Sequence, residues 1–342
     1  MKLLKNNSLS LNQLDGNTAR LLTMLVAIFL VASFTKPDMF LTGGNFQSMS
    51  KQLVEYGLLS LGVGIAMISG GIDLSVVYIA NLSAIVAGMV MNTLVITATG
   101  PEQLLIILIA ILAGVLTGLI CGAFNGFLIS KLHIPAMLAT LGTMQLFMGI
   151  AIIISGGSTV SGIPKMFSQL LSNSYLFGIP LTFFIYLIVV GAIIFIMSKT
   201  KFGMRVFMIG TNARAAAFSG IKINNVLIKT YMLSGVLASF AGILSLARLS
   251  SAKADFGSSY IMQTILIVVL GGINPNGGYG TIRGILLATI IVQLISSFLN
   301  MFPEISNYYR DLIWGVAVIA VLIVNFNANK KTTAKLAKAT AN

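Results

Sequence analysis

Charged residues punctuate this chain at long intervals, and what lies between them is apolar. None falls between Asp73 and Glu102, Glu102 and Lys131, Lys131 and Lys165, or Lys165 and Lys199. Further charge-free stretches run from Lys229 to Arg248, Asp255 to Arg283, Arg283 to Glu304 and Asp311 to Lys330. The pattern predicts about ten membrane-crossing helices of roughly 20 residues each, near 21–35, 53–70, 75–98, 103–130, 136–155, 179–198, 227–247, 258–272, 282–300 and 309–326. The second and eighth are the shortest, and each runs into a Gly-Gly pair. The expectation is an all-α membrane protein with its membrane domain over residues 21–326.

Composition agrees: 57% of the 342 residues are hydrophobic and 8% charged, with mean hydropathy +0.97. A soluble domain carries about 25% charged residues. The net charge of +13 sorts by side. With the N-terminus inside, ten spans place both termini in the cytoplasm, with 15 basic residues inside and 6 outside. Such a bias orients membrane proteins, so nucleic acid is not needed to explain it. Residues 1–20 then form a cytoplasmic N-terminal segment and 327–342 a basic cytoplasmic tail. Lys2 and Lys5 ahead of Leu21–Phe34 superficially resemble a signal peptide. The intervening stretch is long and polar and Val31-Ala32-Ser33 is a poor cleavage site, so an uncleaved first span is expected. Six acids (Asp38, Glu55, Glu102, Asp255, Glu304 and Asp311) fall outside or near the outer boundary. Lys36, Lys51, Lys165, Arg248 and Lys253 form an outer set that could steer an acidic partner.

Chemistry is sparse. One cysteine, Cys121, and one histidine, His133, allow no disulfide framework and no histidine metal cluster. A nucleophile, base and orienting group cannot be assembled, so no catalytic role is expected. No GxxxxGK[ST] phosphate loop occurs. An ion-coupled transporter acting without an ATPase is one reading, with Asp73 as its intramembrane acid.

Four features stand out. The stretch 199–229 holds Lys199, Lys201, Arg205, Arg214, Lys222 and Lys229 without an acid. Within it Asn212 can cap a short Ala-rich helix that Gly220 ends in the left-handed conformation. That helix is either a docking element for a cytoplasmic partner or an interfacial helix with snorkelling lysines. Ser69-Gly70-Gly71-Ile72-Asp73-Leu74-Ser75 offers Asp73 as a path-lining or coupling acid, or as the cap of the next helix. Gly271-Gly272-Ile273-Asn274 echoes Gly70-Gly71-Ile72-Asp73 and opens a Gly-rich irregular connection. Asn81, Asn92, Asn125, Gln145, Gln293 and Asn300 lie within apolar segments, where amides bond between helices or line a path. Around Asn125, Gly122 and Gly126 suggest close helix packing.

Taken in order, SGGIDLSV (69–76), AFNGFLISKLHIPAMLATLGTM (123–144), FGMRVFMIGTNARAAAFSGI (202–221), YMLSGVLASFAGILSLAR (231–248) and GGINPNGGYGTIRG (271–284) resemble the permease subunits of ribose-type ABC importers. The resemblance runs from the second to the tenth segment. It implies a type II importer-like bundle in a bacterial inner membrane that carries a monosaccharide or related small polar solute by alternating access. It implies a second permease subunit, two cytoplasmic ABC ATPase domains that hold ATP and Mg, and an extracytoplasmic solute-binding protein. On this resemblance 199–229 is the coupling loop, with Gly210, Asn212, Ala215, Ala216 and Gly220 at the ATPase. Gly70, Gly71, Asp73, Asn81, Asn125, Gly271, Gly272 and Asn274 are candidates for the translocation pathway. Val77 stands where the family usually has glycine, and Ala213-Arg214 where it often has acids.

Overall fold

A computed structural model describes residues 16–95, 101–304, 309 and 312–323. It is helical apart from a two-stranded hairpin, β1 (Tyr175–Leu176) and β2 (Ile179–Pro180). The helices are α1 (Gly16–Thr35), α2 (Pro37–Phe40), α3 (Gly43–Ile68), α4 (Val76–Val95), α5 (Pro101–Ser130), α6 (Ala136–Ser155) and α7 (Lys165–Leu171). They continue as α8 (Leu181–Lys199), α9 (Lys201–Thr211), α10 (Ala213–Phe218), α11 (Ile223–Leu249), α12 (Tyr260–Leu270) and α13 (Ile282–Leu299). A further apolar helix, α14, runs Leu312–Ile323.

Eight of the described helices are long and apolar enough to cross a membrane: α1, α3, α4, α5, α6, α8, α11 and α13. Each meets one expected segment, while the eighth and tenth segments correspond to the shorter α12 and α14. The second segment is corrected most. It starts at Gly43 rather than near residue 53 and is 26 residues long. Its polar first third, GGNFQSMSKQ, hides it from a hydropathy reading, but the Thr42 side chain accepts the Asn45 N–H and caps it. The expected segments 1–20 and 327–342 fall largely or wholly outside the described residues.

Helices α3, α4, α5 and α11 form the centre, with α12 and α13 against α3. The seam between α5 and α11 is the tightest. Gly114, Gly118, Gly122 and Gly126 recur every four residues, on one face of α5. A Cβ on Gly126 would sit 2.6 Å from the Ile228 Cα, and one on Gly122 2.9 Å from the Tyr231 carbonyl carbon. Inside lipid, small residues of this kind permit backbone approach and drive helix pairing by packing. The outward sides of α5, α6 and α8 are apolar; Leu105, Leu108, Leu138, Ile153 and Ile188 are among their exposed residues.

Candidate coupling site

Residues 199–229 are not a loop. They form α9, α10 and the first two turns of α11. In α9, Thr200 caps the start by accepting the Gly203 N–H, and Gly203, Val206 and Ile209 are buried at a spacing of three. Lys201, Met204, Arg205 and Met208 face out. That is the split of a helix lying along an interface.

α10 is built as its local signals dictate. The Asn212 Oδ1 accepts the Ala215 N–H at 3.0 Å. At the other end Gly220 takes φ +78°, and the Ile221 N–H returns to the Ala216 carbonyl at 3.1 Å. An isolated helix of six residues is not stable in water, so packing must hold it. Ala216 is 1% exposed and supplies that contact, whereas Phe218 is 95% exposed. Of the sequence-chosen residues, Ala216 faces the protein, while Asn212, Ala215 and Gly220 lie on the open surface.

Gly210, just ahead of α10, meets the end of α3 and the loop before α13. The Ile68 carbonyl accepts the Gly278 N–H at 2.9 Å. A Cβ on Gly210 would collide with that same Ile68 oxygen and lie 2.5 Å from the Gly278 nitrogen. One on Gly277 would lie 2.7 Å from the Gly70 Cα, and one on Gly278 2.8 Å from the Thr211 Cα. Three Gly-bearing turns therefore interlock backbone to backbone at the foot of α10. Gly277 and Gly278 need their glycine identity twice over, since both also have positive φ.

The candidate pathway residues separate into three places. Gly70, Gly71, Gly271, Gly272 and Asn274 lie in the turns around this joint. Gly70 and Gly272 are the left-handed residues after α3 and α12, with φ +91° and +89°. The two turns are thus equivalent with an offset of one, Gly70 matching Gly272 rather than Gly271. Gly271 approaches Gly284 of α13, and the Asn17 Nδ2 donates to the Gly271 carbonyl at 3.0 Å, tying α1 to the same turn. The Asn274 Oδ1 accepts the Asn276 N–H at 3.0 Å, holding the turn.

Asp73 and Asn125 are together in a buried network. The Asp73 Oδ1 accepts both the Ser75 N–H (3.1 Å) and the Ser75 hydroxyl (2.7 Å), and its Oδ2 accepts the Ser234 hydroxyl at 2.8 Å. The Asn125 Nδ2 donates to the Ser75 Oγ at 2.7 Å. Asp73 and Asn125 are both 0% exposed. Here the carboxylate holds the turn that leads into α4, which begins at Val76 rather than Leu74, and joins that turn to α11, while Asn125 ties it to α5. Three hydrogen bonds to one buried carboxylate fix its position.

Asn81 stands apart, on α4 facing the segment 250–259. Its Nδ2 donates to the Ala254 carbonyl (3.0 Å) and the Phe256 carbonyl (2.8 Å). Close by is a pair that the sequence reading placed differently. Glu55 lies in the middle of α3 and is 2% exposed, not at an outer boundary. Arg248, at the end of α11, grips it with two bonds: Nε to Oε1 at 2.5 Å and Nη2 to Oε2 at 3.0 Å. Arg248 is therefore unavailable to an external partner, and Lys253 pairs with its neighbour Asp255 at 3.1 Å. Lys51 donates to the Asn173 Oδ1 at 3.2 Å and lies over the Tyr175 ring. The signal for Glu55 is its place inside an apolar run, which a helix starting at Gly43 rather than near residue 53 makes plain.

Comparison with known proteins identifies the class. A family profile described as "Branched-chain amino acid transport system / permease component" matches residues 46–322. The ribose import permease protein RbsC of Bacillus subtilis (strain 168) is 33% identical over 302 residues, covering 87% of this chain and 90% of that protein. The RbsC protein of Escherichia coli (strain K12) is 31% identical over 320 residues, covering 91% and 93%. The autoinducer 2 import system permease protein LsrD of Salmonella typhi is 34% identical over 273 residues, covering 78% and 79%. No solved structure matches. The chain is a multi-pass membrane permease, not itself catalytic, of an ABC importer that works with an ATPase and a solute-binding protein, which removes the ion-coupled reading. By the extent of both matches, this chain belongs to the family of branched-chain amino acid transport system permease components.

Proposed function

We propose that the chain forms the inner-membrane path for a monosaccharide or sugar-like solute, and that 199–229 couples this path to ATP hydrolysis on a separate subunit. The joint of Gly210, Ile68 and Gly278 carries the proposal. Backbone in van der Waals contact has no side-chain slack to absorb a push. An ATPase that displaces α10 would move the ends of α3 and the α12–α13 turn with it. Phe218 is the natural knob for a pocket on the ATPase, since it protrudes without a role in this chain's own packing.

The sugar-like solute rests on the relatives, whose names specify ribose and autoinducer 2, against a family description that specifies branched-chain amino acids. A second permease subunit is supported by α6. Gln145 is exposed there between Gly142 and Gly149, and neither glycine has an atom near its missing side chain. An amide on an outward helix face at this depth needs a protein or water neighbour. The remaining candidates then shape the inner end of the path without touching solute: Gly70, Gly71, Gly271, Gly272 and Asn274 through the turns they build, and Asp73 and Asn125 through their buried side-chain network.

The test is reconstitution with the partner ATPase and binding protein, measuring D-ribose and L-leucine uptake beside ATP hydrolysis. Ala216→Glu inserts a charge beneath α10 and is expected to abolish ribose uptake while hydrolysis continues uncoupled. Normal uptake and normal solute-stimulated hydrolysis in that variant would remove α10 from the coupling role. Uptake of leucine in place of ribose would overturn the solute assignment.

A further inference from the structure

We propose that the corner where α8 turns into α9 holds the headgroup of an anionic phospholipid of the inner leaflet. With the termini inside, α8 runs inward and Lys199 ends it. Thr200 makes the corner sharp: its hydroxyl donates to the Ile196 carbonyl at 2.6 Å and accepts the Gly203 N–H at 3.3 Å. A Cβ on Gly203 would collide with the Met197 carbonyl, so the start of α9 packs closely against the end of α8. The corner leaves a cavity of about 470 Å³, within the range of roughly 300–1,000 Å³ typical of small-molecule sites. Met197, Met204 and Phe207 give it an apolar wall, and Ser198, Lys199 and Lys201 a polar one.

The exposed residues around the cavity tell which side it opens to. Ile188, Phe195 and Lys199 follow one another along a single face of α8. Ile188 and Phe195 are 72% and 62% exposed, so that face looks into lipid, and Lys199 ends it at headgroup level. On α9, Lys201 and Arg205 share the outward face with Met204 and Met208, and both methionines are exposed. Water alone is a poor neighbour for those methionines. The boundary between acyl chains and headgroups suits the methionines and the cations together.

Charge selects the ligand. Among the described residues neither Lys199 nor Lys201 is in an ion pair, and no acid occurs anywhere between Glu102 and Asp255. Two ammonium groups and a hydroxyl beside an apolar wall fit a phosphodiester with its acyl chains attached. Basic pockets between helices on the cytoplasmic side take such headgroups. A topology signal requires the charges alone and has no need of a walled cavity. The rival occupant is the ATPase. The residues assigned to it above lie at and beyond the far end of α9, a helix of 11 residues, which is about 16 Å at 1.5 Å per residue. The lipid face of α8, by contrast, runs straight into the cavity.

The experiment places a fluorophore on Met208→Cys, one turn from the cavity, in a Cys121→Ala background that removes the chain's one native cysteine. The permease is labelled, assembled with its ATPase and reconstituted in phosphatidylcholine. Quenching is then measured against nitroxide-labelled phosphatidylglycerol and, separately, nitroxide-labelled phosphatidylcholine. The anionic lipid is expected to half-quench at a fraction at least about fivefold lower than the zwitterionic one, each lysine contributing about fivefold. Lys199→Gln with Lys201→Gln should abolish the preference, and Lys199→Arg with Lys201→Arg should keep it. Equal quenching by the two lipids would overturn the proposal, and so would a preference that survives the double glutamine variant. Relief of quenching by inorganic phosphate in millimolar excess would make this a site for a free anion and not for a lipid. A preference present in the isolated permease but lost on adding the ATPase would give the cavity to the ATPase. None of these readouts depends on which solute is carried.

Discussion

The two ends of this bundle are held together by different means. At the foot of α10, the contacts of Gly210, Gly70, Gly277 and Gly278 are backbone on backbone. Around Glu55 the contacts are made by side chains: a two-bond ion pair, an amide bridging two backbone carbonyls, and a tilted pair of tyrosine rings. A joint without side chains is stiff and transmits displacement. A cluster of rotatable polar side chains can rearrange. The difference makes the two ends fail in different ways.

The largest effect is expected at the polar end. Arg248→Met leaves the Glu55 carboxylate buried and unpaired, which costs about 3–5 kcal/mol. The double variant Glu55→Leu with Arg248→Met removes both charges and is expected to regain most of that loss. Thermal unfolding of the detergent-solubilised permease measures both. If the double variant is as unstable as the single, the pair holds the bundle through packing and not through charge.

The next effect belongs to the glycine joint. Gly210→Val places atoms where the Ile68 carbonyl already is, and overpacking of this kind costs about 1–3 kcal/mol. Gly191→Val is the matched control, since nothing lies within 4 Å of its missing side chain. The joint predicts that Gly210→Val loses uptake out of proportion to its loss of stability. Equal and small losses in both variants would reduce the joint to ordinary turn packing.

How much of this could be read in advance depended on range. The α10 caps are local, so Asn212 and Gly220 gave its ends within a residue. The α5 stripe at 114, 118, 122 and 126 is equally local, a four-residue period of which the glycines flanking Asn125 are the last two members. The Gly-Gly echo was visible but misaligned by one, because a repeated pair does not say which glycine carries the left-handed turn. The Glu55–Arg248 pair spans 193 positions, and no local pattern announces such a partner. Cutting α3 short moved Glu55 to a boundary and removed the one clue that a buried acid requires a base. The meeting of three turns at Gly210 likewise follows from tertiary packing, not from any one motif.

Two smaller predictions separate the inner joint from the surface it supports. Asn212→Ala removes the bond to the Ala215 N–H, and loss of such a cap costs about 1 kcal/mol. Its effect should appear in coupling efficiency as α10 frays, with Asn212→Asp restoring most of it.

Phe218→Ala sharpens the comparison furthest, because it should do almost nothing to the permease alone. The ring is 95% exposed, and surface substitutions of this kind stay within about 0.5 kcal/mol. An exposed aromatic anchor that fills a partner's pocket can nonetheless dominate an interface, at about 2 kcal/mol or more. The thermal midpoint of the isolated permease should therefore be unchanged while its affinity for the ATPase falls at least about thirtyfold. Should both quantities stay put, the knob is idle and the push must enter α10 elsewhere on its face. Should both fall, Phe218 packs within this chain during the cycle, and the joint and its docking surface are one element.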